Sequence, residues 1–322
     1  MEAALYHRQY GFYSTGGSAG RRGDFITSPE IGPLFGHVVA NALDTEWERL
    51  GQPGVFTVVD FGAGPGTLAR SIAAAAPRCA PSMRYIAVER SSGQRARHPS
   101  GVISVEFLSP ELIGDGIVGV VIANELLDNL PFTPVVRVNG DLRFLEVSVD
   151  DDNALKALAS SSSPEDDPFD VELEAAVLQR AAASWLRDML GAVVAGRVLM
   201  IDYARTSSAL VEVRTYASHG RAGDPLVDLG TKDITVDVDL EQLERSVVRA
   251  TRIMSQASWL ELHGLSRLVA EGRVLWEQGA STGSLEALKG RSRVREAEAL
   301  TEAEGLGGFT VAEWTVGSFD FL

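Results

Sequence analysis

Val55-Phe56-Thr57-Val58-Val59-Asp60-Phe61-Gly62-Ala63-Gly64-Pro65-Gly66-Thr67-Leu68-Ala69 runs from an apolar segment through three glycines into a helix-forming sequence. Val55, Phe56, Val58 and Val59 show no polar alternation, which suits a parallel strand covered on both faces. Gly62, Gly64 and Gly66 permit a tight turn and let backbone N–H groups approach a ligand, while the helix opening at Thr67 points its positive end at the same place. This is the pattern of a nucleotide-type binding loop.

Two details narrow the ligand. A dinucleotide loop needs G-x-G-x-x-G, but Thr67 stands where the third glycine belongs and Gly66 comes one residue early. Asp60 closes the strand, where it would repel a pyrophosphate and suit a cation such as the ammonium and sulfonium of S-adenosylmethionine. Met83 to Glu89 reads as a second strand ending in an acid, placed to accept from ribose hydroxyls. The expected cofactor-binding residues are Asp60, Gly62, Gly64, Gly66, Glu89 and, after a later strand, Asn124.

The 322 residues are 45% hydrophobic and 23% charged, enough for one large domain with insertions. A net charge of −15 argues against a phosphate backbone or an anionic membrane as partner and favours a basic peptide or a small molecule. The single cysteine, Cys79, excludes an internal disulfide, and no apolar run approaches 18 residues, so a cytoplasmic protein is expected. His7, His37, His98, His219 and His263 show no metal-ligand spacing, and no metal is expected. Neither G-x-S-x-G match, Gly16 to Gly20 or Gly279 to Gly283, follows an apolar strand as a nucleophile elbow requires.

Along the chain, Met1 to Tyr13 reads as the end of a helix and an aromatic-glycine turn, as though Met1 were a late start. Ser28 should cap a helix running to Leu50, with Asp24 and Glu30 open to either a loop or a ligand role. Val102 to Phe107 and Gly116 to Ala123 are further strands. In an open parallel sheet the ligand lies beyond the carboxyl ends of the strands, so Asn124, Glu125 and Asp128 should share a crevice with Asp60 and Glu89. If helical, Glu125 and Asp128 share a face. Asn139-Gly140 marks a hairpin, Asp150 to Phe169 a surface segment, Val171 to Leu190 a helix, and Gly196 to Asp202 a fifth strand. Asp239 should cap a helix from Leu240 to Ala250, and Thr251 onward alternates helices with a closing strand near Phe309 to Thr315.

Gly11-Phe12-Tyr13, the stretch Gly23 to Ile31, Phe35-Gly36, the Asp60 to Gly66 loop, Ala123 to Pro131 (A-N-E-L-L-D-N-L-P), Asp202-Tyr203 and Asp233-Ile234-Thr235 with Val238-Asp239 together resemble the MidA family. These are class I S-adenosylmethionine-dependent methyltransferases related to the mitochondrial complex I assembly arginine methyltransferase. The resemblance extends to about Gly264. It differs at Phe132-Thr133-Pro134, where the family commonly has a short aliphatic residue and a nearby histidine. It implies an α/β, Rossmann-like class I methyltransferase with a seven-stranded, mostly parallel sheet. The single domain would divide into an N-terminal cap (1–50), a core (51–131 and 191–322) and a hairpin insertion (132–190). It further implies methyl transfer to a protein or small-molecule acceptor. If the acceptor is arginine a proton must be removed, and Glu125, Asp128, Asp24 and His219 are the candidates. An assembly factor with little turnover is the rival from another class.

Overall fold

β1 (Phe56–Phe61) forms where the apolar run predicts it, and pairs in parallel with β2 (Met83–Val88) on one side and β4 (Ile117–Asn124) on the other. These elements belong to a computed structural model that describes residues 1–15, 27–165, 169, 173–206, 212–217, 220–281 and 283–317. β3 (Ile103–Val105) flanks β2, and β5 (Val193–Asp202) flanks β4. β6 (Arg252–Ser255) forms the far edge, and β7 (Thr310–Val316) runs antiparallel between β5 and β6. The order is β3-β2-β1-β4-β5-β7-β6, with the direction of crossing reversed at β1 and β4.

Successive residues of the central strands enter different cores, because side chains alternate across a sheet. Val58, Val120 and Leu199 meet Phe35, Val38 and Ile72 from helices Pro33–Arg49 and Thr67–Ala75. Val59, Val121 and Val198 meet Leu186 of helix Arg180–Ala192, with Leu240 and Leu243. Full burial of each such side chain is worth about 1.5–3 kcal/mol, and double coverage explains why these strands read as unbroken apolar runs.

The structure departs from the sequence expectations where local patterns were ambiguous. The helix expected from Ser28 to Leu50 is two, Ser28–Ile31 and Pro33–Arg49, since Pro33 has no N–H to continue the first. Ser28 is not the cap: its hydroxyl donates to Gln256 Oε1 at 2.8 Å. The segment expected at the surface is largely exposed where described, and it contains a strand, Leu155–Ala159, paired with Asp141–Val149 after a turn closed on the Asp150 carboxylate. The helix expected over Val171 to Leu190 is a strand, Ala175–Leu178, followed by helix Arg180–Ala192. Pairing of that strand with Thr133–Val138 overrides its helical spacing, giving a four-stranded antiparallel insertion. Its hairpin turns at Asn139 and Gly140, with φ of 53° and 92°. The helix after Asp239 ends at Ser246, and β6 follows unannounced.

Candidate active site

β1, β2 and β4 end at one edge of the sheet, beside a cavity of about 420 Å³. Its floor is the loop after β1, where Gly62, Gly64 and Gly66 have φ of 67°, 53° and 78°. All three occupy the left-handed region, yet their surroundings differ. A Cβ on Gly64 would meet nothing within 4 Å, while one on Gly66 would lie 2.9 Å from Pro99 Cδ. Gly62 and Gly64 line the cavity and Gly66 does not; it serves the turn and its packing on His98 and Pro99, which corrects the expectation that all three glycines face the ligand.

Carboxylates arrive from several elements. Asp60, at the end of β1, is 2% exposed and accepts the Tyr85 hydroxyl on Oδ2 at 2.8 Å. Glu89, just beyond β2, accepts the Gly64 N–H on Oε2 (3.0 Å) and the Ser91 N–H on Oε1 (2.7 Å), so it ties down the glycine loop as well as lining the cavity. Glu30 reaches in from the N-terminal segment and accepts the Thr67 hydroxyl at 2.6 Å.

Glu125 stands at the end of β4 with φ +52°, an uncommon conformation for a residue with a side chain. Its N–H donates to the Ile201 carbonyl at 2.8 Å. Its Oε1 accepts from the Ser28 N–H (3.2 Å) and from Asn124 Nδ2 (3.1 Å). Asn124 Oδ1 is buried with no hydrogen-bond partner among the described residues, and both residues line the cavity.

Asp128 does not join them. Leu127–Asn129 is a 3₁₀ turn, not an α-helix, since Leu130 before Pro131 is held extended, and the N–H groups of Leu126, Leu127 and Asp128 converge on Asp202 Oδ2 at 3.2, 2.9 and 3.4 Å. The turn sends Asp128 away from the cavity, to accept the Thr235 hydroxyl at 2.6 Å. The shared face expected of Glu125 and Asp128 is therefore absent. Asp24 and His219 lie outside the described residues.

The sequence motifs meet in one network. Asn129 Nδ2 donates to both Asp233 oxygens at 3.1 Å, and Asp233 Oδ1 also accepts the Tyr13 hydroxyl at 2.9 Å. The Tyr6 hydroxyl donates to the Asn129 carbonyl at 2.9 Å, and the Tyr6 and Tyr13 rings stack with centroids 5.5 Å apart. Both tyrosines line the cavity, as do Phe107, Trp185 and Met189, none of which the sequence reading assigned to the site. Phe107 follows β3 as Glu89 follows β2, so the rule that singled out the acid applied to it too.

Burial raises the proton affinity of these acids. It pushes Glu125 up to about 8, with the Asp128 charge adding to the effect. Burial likewise lifts Asp60 to about 7, the Tyr85 hydrogen bond opposing and the Glu89 charge adding. Asp202 reaches about 7 through burial and the Glu125 charge, and Glu89 is raised, chiefly by burial. A cavity so lined is stabilised by an incoming cation.

S-adenosylmethionine fits this donor set. The unpartnered Asn124 Oδ1 suits an ammonium N–H, the open space over Gly64 admits ligand beside the backbone, and Glu89 keeps lone pairs for ribose hydroxyls. The strand order, the antiparallel β7 and the glycine loop after β1 define a class I, Rossmann-like methyltransferase. The chain belongs to the MidA-like family of S-adenosyl-L-methionine-dependent methyltransferases, whose model matches residues 38–257.

The mitochondrial protein arginine methyltransferase NDUFAF7 homolog of Drosophila melanogaster is 27% identical over 282 residues, 75% of this chain and 64% of its own length. The Homo sapiens NDUFAF7, likewise named a protein arginine methyltransferase, is 25% identical over 287 residues, 76% of this chain and 64% of its own. The chain thus spans somewhat under two thirds of these relatives. The crystal structure of a COG1565 superfamily member from Burkholderia thailandensis bound to S-adenosyl-homocysteine superposes with a TM-score of 0.81 at 24% identity, covering 98% of this chain and 86% of that one. That likeness shows the fold.

Proposed function

We propose that the protein moves the methyl group of S-adenosylmethionine to a side-chain nitrogen of a protein acceptor, arginine first among the candidates. The observation that carries this reading is Glu125, a carboxylate fixed through one oxygen by Ser28 and Asn124 within an acid-lined cavity. The names of the animal relatives point the same way. The cofactor, when bound, supplies a methyl on an electrophilic sulfonium; the new N–C bond forms as the S–C bond breaks, releasing S-adenosylhomocysteine.

The protein's own part is alignment and proton handling. Gly62 and Gly64 hold the cofactor's methionine end close to the backbone. Asp60 and Asn124 face its ammonium, and Glu89 takes the ribose. Glu125 attracts the guanidinium and accepts the proton that the nitrogen must lose, a task suited to a carboxyl poised near the working pH. Asp128 acts from behind through its charge. A cytoplasmic location belongs to the same proposal, and cell fractionation tests it.

The deciding experiment incubates purified protein with radiolabelled S-adenosylmethionine and a cell lysate, then hydrolyses the labelled protein to amino acids. Label in methylarginines supports the reading. Label only in small molecules replaces the acceptor, and cofactor binding without turnover in any fraction favours an assembly factor.

A further inference from the structure

Asp60 sits where a cation is expected, yet a buried carboxylate held only by its own backbone could turn or take up a proton. Tyr85 prevents the first. Strand register places Tyr85 opposite Val58, on the same face as Asp60 two residues further along β1. Its ring is buried in the core beneath the cavity, and its hydroxyl rises diagonally to Asp60 Oδ2 at 2.8 Å. Tyr85 is not among the cavity's lining residues, whereas Asp60 is. The phenol thus engages Asp60 from the protein side and leaves the carboxylate's remaining capacity for the cavity.

We propose that Tyr85 is a positioning residue for the cofactor: its hydroxyl fixes Asp60 from below and keeps the carboxylate fit to receive the cofactor's cationic end. This rests on the S-adenosylmethionine reading of the site. The other titratable groups lining the cavity are Glu89 and Arg90 beyond β2, Glu106 beyond β3, Glu125 at the end of β4, and Tyr6, Tyr13 and Glu30 from the N-terminal segment. Burial favours protonation of Asp60, and repulsion from Glu89 acts in the same sense. The donated hydrogen bond from Tyr85 opposes both.

The test is calorimetric titration with S-adenosylmethionine from about pH 6 to about pH 9 on the wild type, Tyr85→Phe, Asp60→Asn and the double variant. Phenylalanine keeps the ring's packing and removes only the donor. Loss of one charge-assisted hydrogen bond should move the pH midpoint for binding up by about one unit. Affinity should then fall about tenfold near pH 6.5 and recover to within about twofold near pH 9. In the Asp60→Asn background, Tyr85→Phe should leave the pH profile unmoved. A loss of affinity equal at every pH, or none at all, would overturn the proposal while leaving the cofactor reading intact. Failure of the wild type to bind at any pH would overturn both.

Discussion

Glu125→Gln separates proton removal from binding more cleanly than any other change at this site. The substitution preserves shape and both bonds to Oε1, since the glutamine amide oxygen accepts from the Ser28 N–H and Asn124 Nδ2 as the carboxylate does. What it removes is the charge and the basicity. With the carboxyl at about 8, only about a quarter of the wild-type protein carries a charged Glu125 at about pH 7.5 before a cation enters, and that fraction rises tenfold per unit of pH well below 8. The transfer rate should therefore climb with pH and level off above about 8. A positioned base contributes about 10²–10⁴ in rate, so the variant should lose two to four orders of magnitude in kcat, its cofactor affinity changing far less. Its pH profile should also lose the rise toward 8. The assay is release of S-adenosylhomocysteine with labelled acceptor, from about pH 6 to about pH 9. A variant retaining transfer to within about threefold, or a wild-type rate flat across that range, would refute the assignment of Glu125 as the base.

Other perturbations follow from the same geometry. Asp128→Asn should behave unlike Glu125→Gln: it keeps an acceptor for Thr235 and relieves repulsion from Asp202 and Asp233, so thermal melting should show unchanged or higher stability and kcat should fall by less than about tenfold. Gly64→Val should abolish cofactor binding in a calorimetric titration, because a β-branched residue at φ +53° costs at least about 1–2 kcal/mol and its side chain enters the ligand's space. Asn129→Ala should lower stability by about 1–3 kcal/mol in urea unfolding, since it leaves Asp233 and the Ile234 carbonyl without their shared donor. Asp60, Glu125 and Asp202 have folded-state values near 7 to 8, above those of the unfolded chain, so the folded form binds more protons between about pH 4 and pH 8. Stability must then fall as pH rises through that window. The melting temperature of cofactor-free protein should drop by roughly 5 °C or more from about pH 5.5 to about pH 8.5, and S-adenosylmethionine should restore most of it.

How much of this was legible in the sequence depended on whether a signal was local. The glycine loop, the acids ending β1 and β2 and the Asn139-Gly140 turn are local, because backbone conformation or strand position fixes them, and the structure has them where the sequence puts them. Ala175–Leu178 reads as helix because its spacing suits one, and only the partner strand Thr133–Val138, some forty residues earlier, makes it extended. The turn at Leu126–Asn129 is tied down by Asp202, far along the chain, whose carboxylate gathers three of its N–H groups. The motifs were recognisable one by one, but their reason for coexisting was not. Asn129 binds Asp233, Asp233 binds Tyr13, and Asp128 binds Thr235, so the loop after β4 is clamped between the aromatic N-terminal turn and the Asp233–Thr235 strand. Of the loop's two acids, Glu125 at its head lines the cavity and Asp128 does not. The buried acids Asp128, Asp202 and Asp233 are structural partners of the loop, and burial, with the Asp128 charge adding, raises the proton affinity of Glu125. Burying these acids costs stability as pH rises, and the same burial gives Glu125 a titration range where a general base is useful.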